Sequence, residues 1–176
     1  MSSKKYFIAI VLPEPQQGVV ESVKRELFQN YGLKGSLRSP AHITLHRPFS
    51  WLEEKENLLV EKLNQFKHEN NFQIFLRNFD GFEPRVIFVH VEPNEALSQL
   101  HRAFKRFAQK ELRLFNEVND LRGFHPHVTV AFRDLKKPLF YRLTEEFRNK
   151  TLELNFEFRN LSLLRLNKTW EVIHSF

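Results

Sequence analysis

Apolar and polar positions change period along the chain, and these changes predict the order of the structural elements. A continuous apolar run over residues 6–12 predicts a strand covered on both faces. Apolar residues at helical spacing follow over residues 16–30, with Gly32 as a stop signal. Residues 39–49 read SPAHITLHRPF, a strand pattern, and helical spacing returns over residues 53–68. The first part of the chain is therefore predicted to run strand, helix, strand, helix.

Two further strands are predicted next in the chain. Residues 72–79 and 85–91 are rich in β-branched and aromatic residues, and Asp80-Gly81 between them is a turn signal. We therefore expect a hairpin whose turn lies at Asp80-Gly81.

From residue 86 the same order of elements recurs, with Asn94 as the predicted helix cap. The second series consists of a strand over 86–91, a helix around 97–108, the segment GFHPHVTVAF over 123–132, a helix over 139–147 and strands over 152–158, 161–166 and 170–173. Two copies predict a duplication, with an internal repeat of approximately 6–79 and 86–166. The chain 1–176 is thus expected to be a single α+β domain of two pseudo-symmetric lobes that share one core.

Each copy of the repeat contains a His-x-Thr pair within a strand pattern. Side chains two residues apart share a face of a strand, so His42 and Thr44 lie together, as do His127 and Thr129. By the same alternation His46 is expected on the face of His42. Arg133 is expected on the face of His127, at the exit of its strand. One pair would be weak support for a site, but two at equivalent positions of a repeat predict facing pairs across a cleft.

Two histidines with two hydroxyl groups suit phosphoryl transfer at a diester. One imidazole can take a proton from the attacking oxygen while the other gives a proton to the leaving oxygen. The Thr44 and Thr129 hydroxyls, with Arg133 and His46 as further candidates, could hold the charged phosphate oxygens. This chemistry requires no metal ion and no cofactor.

Composition narrows the classes of partner and compartment. The chain contains no Cys, which excludes disulfides and thiolate metal sites, and its formal net charge is +6, which is compatible with an anionic ligand. No stretch approaches the roughly 20 apolar residues of a membrane span. We expect a monomeric cytoplasmic protein that binds a nucleotide or an RNA terminus and no membrane.

Two other functions remain compatible with the same residues. His125 and His127 are two residues apart, and with His42 and His46 they could form a four-histidine metal site in a hydrolase. The cleft could also bind a nucleotide or RNA without turning it over.

The paired HITL and HVTV motifs resemble those of the 2H phosphoesterase superfamily, which includes 2′-5′ RNA ligase-like proteins and cyclic phosphodiesterases. The opening YFIAIVLPEP, the segment FHPHVTVAF and the late LSLLRL extend the resemblance over nearly the whole chain. It implies antiparallel sheets that line a central cleft, with helices outside. It also implies that His42 and His127 are catalytic, with His127 as the base, and that Thr44 and Thr129 hold the phosphate. The implied substrate is a 2′,3′-cyclic phosphate, either opened by water or joined reversibly in a 2′-5′ ligation. The segment HRPF after the first motif departs from the ligase-like pattern.

Overall fold

The computed structural model describes residues 2–68, 71–115 and 123–176. Over these residues the chain forms eight β-strands and four α-helices, with one 3-10 turn over Gly35–Arg38 and another over Glu53–Lys55. The elements are β1 (Ser3–Val11), α1 (Gln16–Tyr31), β2 (His42–Leu52), α2 (Glu56–Leu63), β3 (Phe72–Phe82), β4 (Val86–Val91), α3 (Glu95–Glu111), β5 (His127–Ala131), α4 (Lys137–Arg148), β6 (Glu153–Phe158), β7 (Ser162–Leu166) and β8 (Trp170–Ser175).

The eight strands form one antiparallel sheet in the order β6-β3-β4-β5-β2-β1-β7-β8. The predicted α+β class is confirmed. The resemblance implies separate sheets, whereas the strands are continuous here. The two four-stranded halves meet where β2 and β5 pair through Ile43 and Val128. We call this place the junction.

The two halves of the sheet exchange strands, β3 on one side and β7 with β8 on the other. β3, from the first half of the sequence, pairs with β4 and β6, whereas β7, from the second half, pairs with β1 and β8. Each half of the sheet therefore contains strands from both halves of the sequence. The predicted repeat of 6–79 and 86–166 is a statement about a duplication in evolution. The pairing of the strands does not test it, so it stays a prediction.

The main core lies between the helices and one face of the sheet. In β1, Tyr6, Ile8 and Ile10 are buried in this core, whereas Phe7 and Ala9 belong to a small second cluster on the other face. The first cluster also contains the inward residues of all four helices. Because the helices cover one face, the other is left open for a cleft along the junction.

The helix ends follow the predicted signals where these were specific. Gly32 ends α1 in a left-handed conformation with φ 71°, and the Asn94 side chain accepts a hydrogen bond from the Leu97 N–H at the start of α3. The second predicted helix, over 53–68, is too long at both ends, because residues 53–55 form a 3-10 turn and α2 ends at Leu63. Among the described residues, no helix is both long and apolar enough to cross a membrane.

The predicted turn at Asp80-Gly81 is wrong. Both residues lie within β3, which pairs with β4 as far as Phe82, and the hairpin turns over residues 83–85. A Cβ at Gly81 would lie 2.9 Å from the ring of Phe140 on α4. This glycine therefore allows α4 to pack closely on β3. An Asp-Gly pair is also typical of turns, which is why the sequence predicted a turn here.

Candidate active site

The junction brings the two predicted histidine strands side by side. Ile43 and Val128 hold the same position in the two motifs, and they pair with each other in antiparallel fashion. An antiparallel pair has a local two-fold axis, which here relates His42 to His127. By this register His42 lies opposite Thr129, and Thr44 lies opposite His127. The two His-x-Thr pairs are thus neighbours on the open face, while Ile43 and Val128 are fully buried on the other.

Both imidazoles are oriented by the same local hydrogen bond. Nδ1 of His42 lies 2.6 Å from the Pro40 carbonyl oxygen, and Nδ1 of His127 lies 2.8 Å from the His125 carbonyl oxygen. A carbonyl oxygen only accepts, so Nδ1 must carry the proton in each bond. Nε2 is then the nitrogen that can gain and lose a proton, as general acid–base chemistry requires.

Each histidine strand has a bulge directly after its threonine. Ala9 pairs with Thr44 but Ile8 pairs with His46, which leaves Leu45 as the extra residue in β2. In β5, Phe88 pairs with Thr129 but Ile87 pairs with Ala131, which leaves Val130 as the extra residue. The same irregularity at the same place in both motifs supports their equivalence.

The bulge overturns the predicted direction of His46. Strand alternation puts this residue beside His42, but its side chain is 1% exposed and its ring packs 5.6 Å from Phe49 and 6.2 Å from Phe104. Phe104 belongs to α3, on the helix side of the sheet. One extra residue in β2 reverses the alternation after Thr44, so His46 points into the core and away from the pocket.

A pocket of about 170 Å³ opens on the face of the two motifs. Four of the predicted site residues line it: His42, Thr44, Thr129 and Arg133. The whole lining consists of Phe7, Ser36, Ser39, His42, Thr44, Pro48, Thr129, Phe132, Arg133 and Trp170. His127 is outside this lining but adjoins it through Thr129 and the junction. Polar groups therefore occupy the centre of the pocket, and aromatic rings form its walls.

Arg133 reaches the pocket through an unusual backbone turn. Its φ is 64°, and the Asp134 N–H donates to the Phe132 carbonyl oxygen at 2.8 Å, so the chain makes a tight three-residue turn here. The guanidinium lies 5.1 Å from the centre of the Phe132 ring. A non-glycine residue in this strained region is typical of functional sites. The bulge and this turn, rather than simple alternation, bring Arg133 to the pocket.

The neighbouring residue Asp134 ties this turn to the segment before β2. Its Oδ2 atom accepts hydrogen bonds from the N–H groups of Lys34 and Gly35, at 2.7 and 3.0 Å. A Cβ at Gly35 would lie 2.5 Å from the Phe132 carbonyl oxygen, so only glycine allows this approach. The pocket is thereby closed on one side by the 3-10 turn that carries Ser36.

The surroundings of His42 disfavour its charged form. Burial, the largest cause, lowers the pKa of His42 to about 4; the hydrogen bond to Pro40 opposes this, and the positive charges of Lys24 and His127 lower it further. The side chain is half-buried at the pocket wall, with one ring face against Phe7 at 4.9 Å. His42 is therefore neutral at pH 7 in the empty pocket.

Six of the ten lining residues were not singled out from the sequence, namely Phe7, Ser36, Ser39, Pro48, Phe132 and Trp170. Phe7 and Trp170 contact each other at 4.7 Å and form one wall beside His42, and Ser36 lines another. Phe7 lies within a continuous apolar run, where alternation gives no signal. Trp170 and Ser36 lie outside both motifs in sequence, so only the fold brings them to the site.

The alternative four-histidine metal site is not assembled. His46 lies on the opposite side of the sheet from His42, and the rings of His125 and His127 are 6.4 Å apart. Within residues 2–68, 71–115 and 123–176, no group of three or more His, Asp or Glu side chains has the geometry to hold a metal ion.

Known proteins share this arrangement of sequence and fold. Residues 12–170 match the family model described as the 2′-5′ RNA ligase superfamily. The chain belongs to this superfamily. Its resemblance to 2H phosphoesterases, inferred from the two motifs, is thereby confirmed.

Relatives of this 2′-5′ RNA ligase superfamily member are found among curated proteins and solved structures. A protein of Geobacillus sp. (strain WCH70), provisionally named a phosphoesterase, is 27% identical over 98% of this chain and 95% of its own length. Another from Geobacillus kaustophilus (strain HTA426), with the same provisional name, is 31% identical over 74% of this chain and 70% of its own length.

Two solved structures share the fold. The protein TT0787 of Thermus thermophilus superposes with a TM-score of 0.67 at 21% identity, over 98% of this chain and 96% of its own. LigT of E. coli in its apo form gives a TM-score of 0.64 at 16% identity, over 100% and 98%. LigT has also been solved in complex with 3′-AMP. The eight-stranded α+β fold is thus common to these proteins.

Proposed function

We propose that this protein catalyses metal-independent phosphodiester chemistry on a nucleotide or an RNA end, chiefly the opening of a 2′,3′-cyclic phosphate. The observation that carries the proposal is the junction, where two His-x-Thr pairs related by a local two-fold axis are neighbours on the open face of the sheet. His42, both threonines and Arg133 line one pocket there, and His127 adjoins it. The family supports an enzymatic activity of phosphoesterase or ligase type. The complex of LigT with 3′-AMP supports a nucleotide as ligand.

The reaction transfers the phosphoryl group from the 3′-oxygen to water. A water oxygen attacks phosphorus, the bond from phosphorus to the 3′-oxygen breaks, and the product carries a 2′-phosphate. One histidine takes the proton of the water, and the other gives a proton to the 3′-oxygen. Thr44, Thr129 and Arg133 bind the phosphate oxygens that gain charge. With a 5′-hydroxyl as the nucleophile, the same transfer forms a 2′-5′ bond.

We assign His42 as the base because its lowered pKa keeps its imidazole unprotonated over a wider pH range than that of an ordinary histidine. Burial and Lys24 keep this imidazole neutral at pH 7, and its Nε2 can accept a proton directly. His127 is then the acid. This assignment is the reverse of the one implied by family resemblance, and it rests on the different surroundings of two similarly held rings.

Turnover of 2′,3′-cyclic nucleotides and of RNA with a cyclic phosphate end tests the activity, measured with and without a chelator. We expect release of 2′-phosphate product at the same rate in both conditions. Loss of activity on chelation would support the metal hydrolase. Binding without turnover of any of these substrates would support the non-catalytic module and contradict the proposal.

A substrate with sulfur in place of the bridging 3′-oxygen tests the roles of the two histidines. A thiolate leaves without a proton, so the variant that lacks the acid should recover most of its rate on this substrate, whereas the variant that lacks the base should not. We expect recovery for His127→Ala. Recovery for His42→Ala instead would reverse the assignment.

A further inference from the structure

An ion pair with a buried lysine contacts the backbone directly before His42. Lys24 of α1 is 1% exposed, and its Nζ atom donates to Oε1 of Glu21 at 3.0 Å. Lysine is almost never buried unless it is paired, since removing its charge from water is costly. Neither Glu21 nor Lys24 is in the lining of the pocket, so the position of the pair calls for an explanation.

The pair is bonded to the backbone that leads into His42. Nζ of Lys24 donates to the Ser39 carbonyl oxygen at 3.0 Å, and the Ala41 N–H donates to Oε1 of Glu21 at 2.7 Å. The Pro40 carbonyl between them accepts from Nδ1 of His42. Hydrogen bonds thus hold three consecutive residues. The ion pair binds the backbone of Ser39 and Ala41, and the His42 imidazole binds that of Pro40.

We propose that the Glu21–Lys24 pair is a positioning element for the reaction, which holds segment 39–41 and places a fixed positive charge near His42. The inference rests on the proposed function only for the role of His42 as a base. The hold on segment 39–41 fixes the carbonyl that orients the ring. The charge of Lys24 opposes protonation of that ring, together with the larger effect of burial.

Other cationic groups also lie near His42. His127 faces it from β5, and its positive charge also lowers the pKa of His42. Arg133 faces it across the pocket from the turn after β5. Arg38, on the adjacent 3-10 turn, donates instead to the Lys168 carbonyl oxygen at 3.3 Å. Lys24 is therefore the cation that contacts the backbone of the His42 segment directly.

The double variant Lys24→Met/Glu21→Gln removes both charges and the hydrogen bond to Ser39 but keeps the hydrogen bond to Ala41. The amide introduced by Glu21→Gln keeps an oxygen that accepts from the Ala41 N–H, and the thioether introduced by Lys24→Met fills the space of the lysine stem without its charge. Replacing both members avoids leaving one buried charge unpaired. The matched control is Arg25→Met, which removes a positive charge from the next, exposed position of the same helix.

The readout is the protonation midpoint of the His42 imidazole, followed by NMR on isotope-labelled protein. We expect the midpoint to rise by about half a pH unit or more in the double variant, since a buried charge acts through a low effective dielectric constant, and to stay unchanged in Arg25→Met. If the double variant does not fold, Lys24→Gln/Glu21→Gln, which also retains a donor toward Ser39, is measured in the same way. A midpoint equal to that of the control would overturn the inference.

This titration does not depend on the proposed activity. If the wild-type protein turns over no cyclic phosphate, the proposed function fails while the NMR midpoint still tests the pair. If turnover is found, the acidic limb of kcat/KM should move upward with the NMR midpoint in the double variant. A limb that stays fixed while the midpoint moves would show that the pair does not act on the reaction through His42.

Discussion

The two histidines of the site share a local geometry but not an environment. Each begins a strand, precedes a threonine and a bulge, and donates from Nδ1 to the carbonyl two residues earlier. Beyond these contacts they differ. His42 rests on Phe7 and on a segment anchored by a buried ion pair, whereas His127 packs against Phe82 and Phe88, at 4.9 and 5.0 Å.

The helices that contact the segments before the two strands show the same difference. Glu21 and Lys24 of α1 reach the backbone before His42 through hydrogen bonds. On α3, His101 instead stacks on the ring of Phe124, 3.8 Å away, in the segment before His127. The shared strand geometry therefore puts one imidazole on each side of the junction. The neighbours of the two rings differ, and this can give the rings different protonation states. A reaction that needs one acid and one base requires this asymmetry.

The largest expected effect is loss of either histidine. His42→Ala and His127→Ala should each lower kcat by roughly 10²–10⁴-fold on a cyclic phosphate, the usual contribution of a general acid or base. Both variants should bind substrate nearly as well as the wild type. Measured rates within a few-fold of wild type for either variant would remove that histidine from the mechanism.

Loss of one threonine hydroxyl should have a smaller effect, and a similar one in both halves. Thr44→Val and Thr129→Val keep the shape of the strand but delete a hydrogen-bond donor, which is worth at most about 10²–10³ in rate. Kinetic constants of the two variants give the comparison directly. If both keep wild-type turnover, these hydroxyls do not hold the phosphate.

The lowered pKa of His42 predicts a pH dependence of stability that His127 need not share. Between pH 4 and pH 6.5 the unfolded chain takes up a proton on this residue while the folded protein does not. The free energy of unfolding should therefore rise with pH across this window, by about 2 kcal/mol after allowance for partial exposure, and be level above it. Denaturation of wild type and His42→Asn at several pH values measures the contribution. Equal slopes for the two proteins would refute it.

The smallest effect on turnover is expected at His46. Its ring is enclosed by Phe49 and Phe104 on the helix side of the sheet, so His46→Leu should alter stability while kcat changes less than about threefold. The corresponding residue of the other half, Ala131, is buried and apolar. A large fall in kcat with unchanged stability would instead return His46 to the site.

Much of the architecture was predictable because hydrophobic periodicity is a local signal. The spacing of apolar residues predicted all four helices, although α2 is shorter than predicted at both ends, and it located both histidine strands. The equivalence of His42 with His127 followed from the repeat alone. These features depend on neighbours in sequence, which a pattern can report.

The features that the sequence did not predict depend on one-residue irregularities in the strands and on contacts between residues far apart in the chain. The bulge at Leu45 leaves no mark in the apolar pattern, yet it sends His46 into the core. Gly81 has the composition of a turn but permits contact with Phe140, which lies 59 positions later in the printed sequence. Lys24 shares the buried face of α1 with Val20 and Leu27, but its charge gave no sign in the sequence that this position is buried. Each of these outcomes is decided by packing partners far away in the chain.

The exchange of strands between the halves of the sheet has a consequence for folding during synthesis. β1 is translated first, but one of its two neighbours is β7, and β3 finds no neighbouring strand until β4 has been made. A nascent chain that ends after β3 therefore exposes strand edges that the complete chain covers. Pairings over such long sequence separations also slow folding, since loops must close before contacts form. The two His-x-Thr pairs at the junction can come together only after residue 129 has left the ribosome, so no N-terminal fragment that stops short of it can contain the complete site.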